Sequence, residues 1–172
     1  MDIQREIERE HSKKMALKVA QYVGNNPKRF AELVHVFLDG PDRITQRAAW
    51  PLRVCVELHP SIANAHLRTL ISSLHKNGQH AAVKRNVLRL LQYVFLPKRL
   101  YGSVADICFE TLQKKDEPVA TKVFAMSVLV PIVQHLPELK TELRIVLEDQ
   151  LPYGSPGFIS RAKKVLKQIS NN

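Results

Sequence analysis

Seven histidines, two cysteines and two adjacent carboxylate pairs are the side chains of this 172-residue chain that could bind a metal or move a proton. Their spacing speaks against both. His59, His66 and His75 are scattered over one loop and helix, while His11, His35, His80 and His135 lie apart; none forms the i, i+4 pair with an intervening acid that a zinc-hydrolase helix uses. Cys55 and Cys108 each sit inside an apolar run and read as structural thiols in a reducing compartment. Asp116-Glu117 falls at a helix start, where acids suit the macrodipole, and Glu148-Asp149 at a helix end beside a turn. The chain has no glycine-rich phosphate loop, serine elbow or Cys-His pair at a catalytic spacing. The expectation is therefore no catalytic residue, no metal and no small-molecule cofactor.

The remaining signal is charge. Twenty-six Lys and Arg stand against sixteen Asp and Glu, a net charge of +10, which concerns partners and solubility more than fold. A hydrophobic fraction of 45% with 24% charged residues is an ordinary globular balance. The opening segment, MDIQREIEREHSKKMALKV, is charged almost throughout and lacks the apolar centre of a signal peptide. No stretch approaches the roughly 20 uncharged apolar residues of a membrane helix. A cytoplasmic protein with no membrane association is expected.

The elements that must carry this charge are helices. Nearly every long segment is periodic at helical spacing, and no alternating strand pattern occurs. Pro27, Pro60, Pro97 and Pro137 each open an amphipathic run, as proline can at a first helical position whose N–H has no partner. Turns rich in Gly and Pro follow: DGPD at 39–42, KNGQ at 76–79, KKDEP at 114–118 and PYGSP at 152–156. A second helix follows each turn. Counting from Ile44, Val83, Val119 and Phe158, offsets of four, eight and eleven give Ala48, Leu52 and Cys55; Val87, Leu91 and Val94; Val123, Ser127 and Val130; and Ala162, Leu166 and Ile169. These positions form one stripe of a 3.6-residue helix, with Ser127 its only clearly polar member.

Ile44, Val83, Val119 and Phe158 recur at 36–39 residues, and two helices per repeat at this period mark an α-solenoid, in which no repeat buries its apolar face alone. The chain resembles HEAT-like repeats. That resemblance implies an all-α, right-handed α-solenoid of antiparallel helix pairs, HEAT/armadillo-like, with about nine helices. Residues 1–172 are then a single domain, with 2–23 as an N-terminal capping helix and 27–170 as four helical-hairpin repeats. Asp39 and Val83-Lys84 match the family's turn Asp and its Val-Arg helix opening, whereas Ile44-Thr45, Val119-Ala120 and Phe158-Ile159 depart from that opening.

Divided by helix, the charge is one-sided. The four first helices sum to zero, and the second helices carry +2, +3, 0 and +4. In HEAT-like solenoids second helices line the concave surface, so the resemblance implies a basic groove. Positions flanking or opposite the buried stripe hold Arg47, Trp50 and Arg53, then Lys84, Arg85 and Arg89, and finally Arg161, Lys164 and Lys167; the third repeat contributes Lys122 alone. Such a strip suits a polyanion, because Lys or Arg contacts to phosphates release counterions. Trp50 could stack on a base or a guanidinium, although an aromatic at helical spacing is more often core. Pro-Lys-Arg recurs as NPKRF and LPKRL, making Lys28, Arg29, Lys98 and Arg99 candidate rim contacts for anions at helix N-termini. The resulting expectation is a non-catalytic interaction scaffold for an acidic partner, protein or nucleic acid, with DNA favoured over RNA. The alternative is a DNA-binding repair protein of the HEAT-like alkylpurine glycosylase type, with Glu57 as the only acid on the basic face.

Overall fold

The structure is a computed structural model that describes residues 1–76 and 80–170. Among these residues it contains only helical elements: α1 (Ile3–Arg9), α2 (Lys13–Val23), α3 (Pro27–Asp39), α4 (Asp42–Leu58), α5 (Leu67–Ser73), α6 (Ala81–Leu91), α7 (Tyr101–Gln113), α8 (Val119–His135), α9 (Glu138–Gln150) and α10 (Pro156–Ser170). Short 3-10 helices at Pro60–His66, Lys98–Leu100 and Leu151–Tyr153 precede α5, α7 and α10. This is the all-helical, paired-helix architecture of a HEAT-like α-solenoid. The chain forms two compact units, Met1–Phe95 and Leu96–Asn172.

The first unit begins differently from expectation. The segment 2–23 is two helices, with Glu10 extended and the Ser12 hydroxyl accepting from the N–H of Met15 at 3.0 Å to start α2. The buried residues Ile3, Ile7, Met15, Val19 and Val23 follow one another at four or eight residues, a helical spacing that runs on across the break and concealed it. Helices α1 and α2 form a hairpin tied by Lys18 to Glu6 at 2.8 Å, and both pack against α4. Helices α3 and α4 make the second hairpin, and Pro60–His66 with α5 and α6 make the third. The expected α-helix from Pro60 is instead a 3-10 turn. Such a turn eclipses side chains three apart, a crowding that small Ala63 and Ala65 tolerate. The turn expected over 76–79 lies, apart from Lys76, outside the described residues. Phe30, Leu33, Phe37, Leu52, Leu67, Leu70 and Leu88 fill the core.

The second unit pairs α7 with α8 and α9 with α10, and α8 packs most extensively on α10. Val104, Cys108, Leu112, Met126, Leu129, Leu143, Leu147, Phe158 and Val165 are buried there. The register of α8 corrects the expected stripe. Val119 is exposed, and Val123, Ser127 and Val130 are only half-buried; the buried face is Thr121, Lys122, Ala125, Met126, Val128, Leu129, Ile132 and Val133. The shift is two residues. Residues preceding the second helices are Pro41, His80, Pro118 and Ser155, and three positions on stand Ile44, Val83, Thr121 and Phe158, all buried. Helix α8 is apolar almost all round, so hydrophobic periodicity could not fix its rotation, whereas the helix start does.

Candidate partner-binding faces

In the first unit the tertiary structure uses much of the expected cationic strip internally. The last carbonyls of α1 have no donors within their own short helix, and the Arg47 guanidinium donates to two of them, Ile7 O at 3.2 Å and Glu8 O at 2.8 Å. Arg47 thus caps a helix forty residues away. Trp50, half-buried, meets the edge of His11 with ring centres 5.8 Å apart, so its indole lies against the α1–α2 connection. Arg53 is ion-paired with Glu57 one turn later, which also engages the acid that the glycosylase alternative would need. Arg43 remains exposed at the start of α4. On α6, Arg85 is exposed while Lys84 and Arg89 are half-buried. The Gln46 side-chain amide hydrogen-bonds the His80 ring at 3.1 Å and joins the two helices.

The rim pairs differ from each other. At α3 the Asn26 carboxamide oxygen accepts from the N–H groups of Lys28 and Arg29, at 3.1 and 3.2 Å, so donors that an anion would use already have a partner. Arg29 donates to Tyr22 O at 2.8 Å and lies 4.2 Å above the Tyr22 ring. Lys28 is exposed. Lys98 and Arg99 are exposed on a three-residue 3-10 turn without a side-chain cap.

In the second unit α10 has a different character. It contains Arg161, Lys163, Lys164 and Lys167 and no Asp or Glu. Lys163, Lys164 and Lys167 are exposed and Arg161 is half-buried. No ion pair or hydrogen bond to another described residue engages these four side chains. At 100° per residue they sweep about 160° of arc, outside the buried line of Phe158, Ala162, Val165 and Ile169. Lys122 is not on such a face. The two-residue shift in α8 places it inside, 9% exposed, with its ammonium donating to Gln150 Oε1 at 3.2 Å. The corrected outer positions of α8 are Val123, Phe124, Ser127 and Val130, which carry no charge. Burial lowers the Lys122 pKa, and the charge of nearby Glu117 opposes that shift.

The thiols are embedded in packing, whereas His11, His35, His75 and His135 are exposed and His59, His66 and His80 half-buried. Cys55 and Cys108 are buried and unlinked, and burial pushes the Cys55 thiol up to about 12. Desolvation lowers the pKa of His66, whose ring meets the edge of Phe30 at 5.5 Å. Among the described residues no cluster of three His, Cys, Asp or Glu is placed to hold a metal, and no helix is long and apolar enough to cross a membrane.

Stacked helical hairpins with charge on selected second helices define a helical-repeat protein of the interaction-scaffold class. A family profile described as a HEAT repeat domain matches residues 3–169, and the chain belongs to that family. The match takes in α1, the first part of the expected 2–23 cap. No curated protein and no solved structure matches the chain significantly.

Proposed function

We propose that this HEAT-repeat protein is a non-catalytic scaffold that binds an acidic partner through cationic second-helix faces, chiefly that of α10, with Arg85 and its neighbours on α6 as a secondary surface. The observation that carries the reading is the composition and pairing state of α10: four cations, no acid in the helix, and no protein counter-charge engaging them among the described residues. A solvated cationic arc of this kind gains free energy from a polyanion by counterion release. Duplex DNA is favoured over RNA as the nucleic-acid form, and an acidic protein segment satisfies the same chemistry.

The test is fluorescence anisotropy with a labelled DNA duplex, the matching RNA and an acidic peptide. Each is titrated at about 50 and about 200 mM salt, where phosphate-dominated binding differs steeply. Binding should weaken with salt and fall by about 100-fold or more at low salt when Arg161, Lys163, Lys164 and Lys167 are all changed to Glu, leaving the weaker α6 surface. Unchanged binding in that variant would remove α10 from the site.

A further inference from the structure

A cleft of about 710 Å³ opens in the second unit between the start of α8, the end of α9 and the turn that leads into α10. That volume is in the range of sites for ligands and short peptide anchors. Three large apolar side chains are exposed in the described part of this unit, Val119 at 40%, Ile145 at 58% and Tyr153 at 90%, and all three line this cleft. Such a concentration of exposed apolar groups at one concavity marks an interaction site more than chance scatter does. Deeper in, buried Phe158 and half-buried Val146 continue the apolar surface.

The polar part of the cleft is equally specific. Lys122 is the one buried charged side chain among the described residues, and it lines this cleft. Its hydrogen-bond acceptor, Gln150 Oε1, is neutral, the nearby Glu117 carboxylate offsets only part of the cost of its burial, and Gln150 is held in place because its Nε2 donates to Leu112 O at 3.0 Å. An ammonium has three donors, and a cation withdrawn from water gains most from a carboxylate brought to it. Glu117 and Asp149 on the same lining set a limit: against Lys115 and Lys122 they leave the cleft without net charge, so it has no excess of cations to draw in a run of acids or phosphates.

We infer that this cleft seats a segment of a partner protein carrying a single carboxylate beside an aromatic or branched apolar side chain. The carboxylate meets Lys122, the apolar group fills the space along Val146 and Phe158, and the partner's flanking backbone covers Ile145 and Tyr153. This site is separate from the α10 arc in chemistry, because it selects an apolar-plus-acid pair over a polyanion.

Saturation-transfer NMR on the full chain tests it, with N-acetyl-Phe-Asp-amide and N-acetyl-Phe-Asn-amide as probes at about 5 mM, a concentration matched to the millimolar affinities of so small a ligand. The Asp peptide should bind about tenfold more tightly than the Asn peptide, a difference of about 1.4 kcal/mol. K122M, which keeps the aliphatic stem, should erase that preference while retaining apolar binding. Y153S changes a side chain 90% exposed and should weaken both peptides without altering the melting curve. Duplex DNA should not displace the Asp peptide. The inference is overturned if neither peptide binds, if K122M leaves the preference intact, if DNA displaces the peptide, or if Y153S dissociates a dimer, which would make the occupant a second copy of this chain. Failure of these arms leaves the α10 prediction standing, since that helix is probed by charge reversal alone.

Discussion

Helices α4 and α10 look alike as charge lists, with Arg43, Arg47 and Arg53 on one and Arg161, Lys163, Lys164 and Lys167 on the other. In the folded chain they have diverged. Arg47 caps α1 and Arg53 pairs with Glu57, while the α10 cations have no such partners among the described residues. A cation already bonded to protein must break that contact before it can serve a ligand, so similar lists of cations do not make equal binding faces. The difference follows from neighbours: α4 lies against a helix whose carbonyls need donors, and α10 contains no acid.

The largest test of this contrast reverses each set. Glu at all four α10 positions should reduce polyanion affinity by about 100-fold or more at low salt, since each phosphate contact contributes to the slope, and should leave the melting temperature nearly unchanged. Reversing Arg43, Arg47 and Arg53 should instead lower the melting temperature clearly; equal stability in the two variants would break the comparison. Next in size is Arg47→Ala. Loss of its charge-assisted bonds should cost about 1.5–3 kcal/mol in urea unfolding, against about 0.5 kcal/mol or less for Lys164→Ala.

The units should also titrate at opposite ends of the pH scale. Burial lowers His66 below its ordinary 6.5, so the folded chain takes up that proton less readily than the unfolded one. The associated stability is complete above 6.5 and is lost as pH falls through the lowered value, and His66→Gln should flatten the acid limb of a stability profile. Lys122 is lowered from 10.5 by the same cause, so its cost persists below the lowered value and is relieved as pH rises toward 10.5. The K122M variant should abolish that alkaline gain. The smallest effect is kinetic: with its thiol pushed up to about 12, Cys55 should react with a thiol reagent only as fast as the first unit opens.

Particular residues show how far the sequence could be read. Helical pairing was legible because apolar residues recur at helical spacing and Gly and Pro mark the turns. The break at Glu10–Ser12 was concealed because Ile7 and Met15 keep a helical spacing across it, although Ser12 is a good helix-starting residue. Ser127, the polar exception in an apolar stripe, signalled the wrong rotation of α8, and counting three residues from Pro118 would have corrected it. The cleft had no sequence signature. Val119, Ile145, Tyr153 and Lys122 come from separate elements, and each looks ordinary in its own helix or turn.

By itself the sequence determined the helical class, the repeat, the excess positive charge and its concentration on second helices, since these are matters of composition and local periodicity. Tertiary structure decided which cations are committed and which remain available, and which face of α8 is buried. Those outcomes depend on contacts between residues such as Arg47 and Glu8, or Lys122 and Gln150, that lie far apart in the chain. Packing alone brings such partners within hydrogen-bonding distance.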